Sequence, residues 1–244
     1  MLRFIRYITA LAGILLAAGL VIAGLPAQAQ TKARKAEKTE KVEDQAYSRR
    51  DYRLGITLSE FKAIPYPDQQ HWPNAYPVCS DEERIKDSNF WEANPPARFK
   101  RAGVVGCHFF YNDRSTGRPW GAGLGLDDLR PITRFLFIKA DTDSEPRLFW
   151  IVTEGPAAEY DRVMATFTAA YGKPSSQTND AVQNRMGAVF QNTTIRWDNS
   201  VSYIEAHRYA DSIQRFQINH CHKPLMKVFN QRIDGVNAEA AKKL

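Results

Sequence analysis

The sequence predicts an α+β protein: an antiparallel sheet covered by one long helix, in an order that admits a duplicated helix-plus-sheet unit. Three observations carry this. Between Gly155 and Pro174, Tyr160, Val163, Met164, Phe167, Ala170 and Tyr171 recur at steps of three and four, the stripe of an amphipathic helix. Pro156 suits a first turn, and Gly172 with Pro174 suits a stop. The other periodic segments of the second half alternate or run apolar over strand lengths, and turn residues at Asp198-Asn199 and Ala210-Asp211-Ser212 separate them as hairpins.

Taken in order, the chain opens on an export signal. Arg3 and Arg6 precede an apolar run from Ile8 to Leu25, and Ala27-Gln28-Ala29 is a small-x-small cleavage site. Residues 1–29 are therefore expected to be removed, which places the mature protein in the periplasm or outside the cell. The alternative is a retained anchor, since the run can just span a bilayer. No second run of that length follows, so no integral membrane segment is expected after processing. The formal net charge of +6 falls to +4 without Arg3 and Arg6, too small an excess to argue for nucleic acid. Residues 30–51 read as a linker: Lys and Glu alternate with alanine up to Asp44, and little there could be buried.

The domain is expected over 52–233. Thr57-Leu58-Ser59-Glu60 is a capping box, with Ile56 and Phe61 placed as a hydrophobic staple, and Pro65 ends that short helix. From Tyr66 to Phe99 no period holds, and prolines at 65, 67, 73, 77, 95 and 96 forbid long regular structure. Trp72 and Tyr76 on this stiffened loop are candidate contact surfaces; the competing reading folds the rings back as lids on the core. Val104–Tyr111, Ile132–Lys139, Arg147–Thr153, Gly187–Trp197, Ser200–Tyr209 and Ile213–His222 read as strands. A last helix is expected over Leu225–Ile233, with 234–244 as a frayed tail. In the final hairpin, setting Tyr209 opposite Ile213 pairs Ile204 with Ile218 and Ala206 with Phe216 on one face. Glu205, His207, Arg215 and Gln217 then occupy the other, and the first three of these are candidate binding residues.

Three cysteines in a chain bound for an oxidising compartment leave one unpaired. Cys79, in the proline-flanked loop, and Cys107, in an apolar strand, are the expected disulfide; Cys221 remains a thiol on the polar face of its strand. No metal or cofactor site is expected. His220 and His222 share a strand face with Cys221 on the other, and two histidines are too few for zinc. Gly121-Ala122-Gly123-Leu124-Gly125 lacks the strand–helix context of a dinucleotide site and the Gly-Lys-Ser/Thr of a P-loop. No Gly-x-Ser-x-Gly elbow or cysteine-protease signature occurs, so no catalytic residue is assigned.

In its order of elements and in the Tyr171-Gly172-Lys173-Pro174 helix exit, the chain resembles small exported envelope proteins built from helix-plus-antiparallel-sheet repeats. Beta-lactamase inhibitory protein and outer-membrane assembly lipoproteins share that plan. The resemblance implies a fold over roughly 52–233 and carries no functional residue across; the cysteine of the lipoproteins is absent. The expectation is a non-enzymatic binding or accessory protein of the cell envelope, its partner another envelope protein. The rival readings are a hydrolase-like enzyme with its site near the last strand, and a structural protein without ligand.

Overall fold

Alternation along the strands builds one nine-stranded sheet, and the computed structural model shows its order as β3-β4-β6-β7-β11-β10-β9-β8, with β5 paired to β4. The structure describes residues 45–183 and 186–242. The expected signal peptide and the linker up to Asp44 lie outside the described residues. The first half of the sheet comprises β3 (Tyr76–Cys79), β4 (Val105–Asn112), β5 (Pro119–Gly121), β6 (Ile132–Ile138) and β7 (Arg147–Pro156). The second comprises β8 (Ser176–Gln183), β9 (Val189–Asp198), β10 (Ser202–His207) and β11 (Arg215–His222). Each half runs from an edge inward, and the last strands of the two, β7 and β11, pair antiparallel at the centre. Each half follows its own helix, α1 (Leu58–Ala63) or α3 (Tyr160–Tyr171). That is the duplicated unit the element order admitted.

Both helices cover the same face. Leu58 and Phe61 of α1 pack with Phe109, Phe135, Phe137 and Ile151, while Tyr160, Val163, Met164 and Phe167 of α3 pack with Trp197, Ile204, Phe216 and Ile218. The predicted stripe is the one that packs on the sheet, with Tyr171 half-buried and Ala170 exposed. Polar tips of the same rings fix the helix: the Tyr160 hydroxyl donates to the carbonyls of Thr193 and Ala206, both at 3.1 Å. The Thr57 capping box forms as expected, with reciprocal bonds of 3.1 and 2.7 Å to Glu60. Gly155 and Pro156, however, end β7 rather than open the helix. The Phe216 ring lies over Gly155, where a Cβ would sit 2.6 Å from its Cζ, so no larger residue fits.

Several expected boundaries move. A short hairpin pairs β1 (Ser48–Arg49), in what read as linker, with β2 (Tyr52–Arg53) at the expected start of the domain, and Arg49 is buried with its guanidinium donating to the carbonyls of Leu124 and Gly125. Part of the proline-rich loop is β3, which tolerates Pro77 because it is an edge strand. Ala97–Arg101 forms α2, and α4 runs over Lys223–Ala241, through what read as a frayed tail. Strand β8 had no apolar signal, since every residue from Ser176 to Ala181 is exposed. The β10–β11 register also differs by two residues: Ile204 faces His220 and Ala206 faces Ile218. A two-residue slip preserves both faces, so alternation could not exclude it.

Cys79 and Cys107 stand opposite one another on β3 and β4 and form the expected disulfide, with Cα atoms 4.1 Å apart. Cys221 is free, as expected, but buried rather than displayed on a polar surface. Among the described residues no helix is long and apolar enough to cross a membrane.

Candidate functional site

The second face of the sheet is covered unevenly, and the uncovered part forms the candidate site. At one corner Phe99 of α2 and Leu225 and Phe229 of α4 pack over Leu136, Phe149 and Val152. Beside it, Phe90 and Ala93 of a 3₁₀ turn pack over Val78 and Phe110. Between these covers and the β10–β11 turn lies a groove of about 520 Å³. Residues 91–99, the end of the long proline–aromatic segment, form one wall, and Asp211 marks the far end. Arg134, Trp150, Glu154 and Gln217 project from three adjacent strands into its floor.

These floor residues are tied to each other. Glu154 accepts from Arg134 and Gln217, each at 3.2 Å, and its other oxygen lies 3.4 Å from Arg215. Gln217 in turn accepts from Asn219 at 3.3 Å, and Asn219 accepts from the Trp150 indole at 3.0 Å. Planar side chains joined this way lose little freedom when they meet a ligand, because they are already ordered. The wall is pinned similarly. The His108 ring is buried on β4, with Nδ1 2.7 Å from the Thr133 carbonyl and Nε2 3.3 Å from Glu92. That contact, more than the burial opposing it, holds the Glu92 carboxyl below the usual carboxylate range. Gly121 of β5 faces the Glu92 carboxylate, where a side chain would collide with it. The glycine-rich run thus serves close packing rather than phosphate binding. Trp91, 62 % exposed, stands at the rim.

A second polar set lies across β10 and β9, on the same face. Glu205 accepts from Arg196 at 2.9 Å and contacts His207 at 3.1 Å, and both partners hold its carboxyl down, His207 first. Among the described residues no helix lies on this half of the face.

The sequence candidates are thereby placed. Glu205 and His207 touch each other, and Arg215 shares the same face through Glu154. Trp72 is not with them: it packs against Tyr66 and Tyr111 at the edge of the helix-covered face. Tyr76 lies on β3, its hydroxyl donating to Asn112 at 2.9 Å and its ring under Arg84. Sequence reasoning missed Trp91, Glu92, Arg134, Trp150, Glu154 and Gln217. The signal available was Arg134 and Glu154, opposite charges within largely apolar neighbouring strands, which the register sets diagonally across from each other.

The last strand does not assemble a reactive centre. His220 is fully buried beneath Phe167 and Tyr171, and burial, with Arg49 nearby, lowers its pKa to about 3. Cys221 points to the opposite face, where burial pushes its thiol up to about 12, so it carries no thiolate at neutral pH. Cys79, Asp81 and Glu82 come within metal-ligand spacing, but the Cys79 sulfur is committed to the disulfide.

Fold and groove together define a class: an α+β protein with a two-half antiparallel sheet, α1 and α3 on one face and, beside the α2–α4 cover, a preordered polar surface on the other. No protein-family model matches the chain, and no curated protein or solved structure is similar to it.

Proposed function

We propose that this is an exported, non-enzymatic binding protein of the cell envelope, which docks another envelope protein on the open half of its sheet with the groove at the centre. One observation carries the reading: a continuous set of hydrogen-bonded polar side chains, ordered in advance, lies on a sheet face left uncovered beside an exposed tryptophan. Charges of both signs alternate along it, which suits the rim of a protein interface more than a uniformly charged polymer. The disulfide is compatible with an oxidising compartment, and the signal-like N-terminus supplies the route.

The test is capture from an envelope extract by the mature protein, with a Trp91→Ala, Glu154→Arg variant in parallel. A partner that the native surface holds and the variant loses supports the reading. Identical captures from both would exclude the groove. N-terminal sequencing should find Gln30 first; recovery of Met1 in membranes would replace export with anchoring.

A further inference from the structure

The two edges of the sheet are built differently. The β3 edge is four residues long, contains Pro77 with no N–H to offer, and has the Pro77 carbonyl occupied by the Arg84 guanidinium at 2.8 Å. Those are devices by which proteins close an edge to foreign strands. The β8 edge is twice as long and has none of them. It contains no proline or lysine, carries one charge, Asp180, and among the described residues pairs only with β9. Its side chains contribute almost nothing to the core, and among the described residues no strand pairs with its outer row of backbone donors and acceptors.

We propose that β8 is a pairing edge for a second copy of this chain, the two strands running antiparallel about a twofold axis to form one continuous sheet. Self-pairing closes after two copies, whereas a head-to-tail contact would not. The symmetry limits the register. A twofold perpendicular to the sheet must set one residue opposite its own copy. Centring on Asp180 would oppose two carboxylates, which is destabilising. Centring on Asn179 removes that conflict and places Thr178 opposite the partner's Asp180, hydroxyl to carboxylate. The Asn179 side-chain oxygen already accepts from Thr193 at 2.9 Å, so what the side chain has to offer a copy at the axis is its amide N–H donors. The surface is distinct from the groove, whose floor is formed by β6, β7 and β11, while β8 lies beyond β10 and β9 at the edge.

A single-strand contact buries less than a standard interface, so association in the micromolar range is expected. Sedimentation over a micromolar-to-millimolar series should show the full mature protein passing from monomer to dimer. Asn179→Asp, exposed and harmless to the fold, should abolish the dimer while its circular dichroism stays native. In a Cys221→Ser background, Asn179→Cys should oxidise to a covalent dimer. Gln177→Cys should not, because its copy would be roughly 14 Å away, outside disulfide reach. A native protein that stays monomeric throughout, with no cross-link at position 179, would overturn the proposal. Equal cross-linking at positions 177 and 179 would overturn it as well, since no single register gives that.

Discussion

Replacing Gly155 by alanine is expected to destabilise the fold, and the cost is expected to depend on Phe216. The central pair of strands sets Gly155 opposite Phe216, and an added Cβ would come within 2.6 and 2.7 Å of two ring carbons. Real Cβ atoms do not approach so closely, so the ring or β7 must shift against the floor of the α3 core. Overpacking of this kind costs about 1–3 kcal/mol. Phe216 is fully buried, and Phe216→Ala alone should cost about 3–5 kcal/mol. In the Phe216→Ala background the obstruction is gone, so Gly155→Ala should become nearly free. The double-mutant cycle should therefore show a coupling above about 1 kcal/mol. Urea unfolding followed by tryptophan fluorescence measures all four corners, provided the slopes agree. If Gly155→Ala costs the same with and without the ring, the β7–β11 register is wrong. Gln217→Ala, on the opposite face, serves as control and should stay within about 1 kcal/mol.

Other expectations follow from single contacts. Breaking the Cys79–Cys107 bond, which spans a separation of 28 residues, should cost about 3–4 kcal/mol by loop entropy and expose 80–99 to protease, while thiol counting on the denatured, unreduced chain finds only Cys221. His220 has a folded pKa near 3 against 6.5 unfolded, so its contribution is complete above pH 6.5 and is lost as the pH falls from there towards 3. Between pH 6.5 and 4.5 the loss should be about 2–3 kcal/mol, and His220→Phe should flatten that part of the urea–pH profile. An unchanged profile would mean that the ring is not sealed beneath Phe167 and Tyr171. Thr57→Ala should cost about 1 kcal/mol in the same assay through the lost helix cap.

How much of this was legible beforehand follows from what each residue had to satisfy. The α3 stripe, the capping box and the disulfide were readable because they answer to simple rules: a 3.6-residue period, a fixed side-chain reach, and an odd cysteine count with one member in a proline-flanked loop and one in an apolar strand. Strand β8 was invisible because an edge with neither face buried needs no apolar alternation. Strand β3 was hidden by Pro77, which excludes only the interior of a sheet. The hairpin register was legible modulo two residues, because period-two alternation carries no more information than that. The groove was least legible. Its residues come from β6, β7, β11 and the 91–99 wall, and only pairing across the duplicated halves brings Arg134, Glu154 and Gln217 together. Trp72, which stood out in the sequence, serves the core edge, while Trp91 from the same segment stands at the groove.

The docking reading is tested most directly by placing a photocrosslinking amino acid at position 91 and irradiating the mature protein in envelope extract. Trp120, on strand β5 and 59 % exposed, gives a second position away from the groove. The account predicts a discrete protein adduct from position 91 that excess native protein suppresses and the Glu154→Arg variant does not. No adduct at 91, or adducts formed equally well at 120, would contradict it.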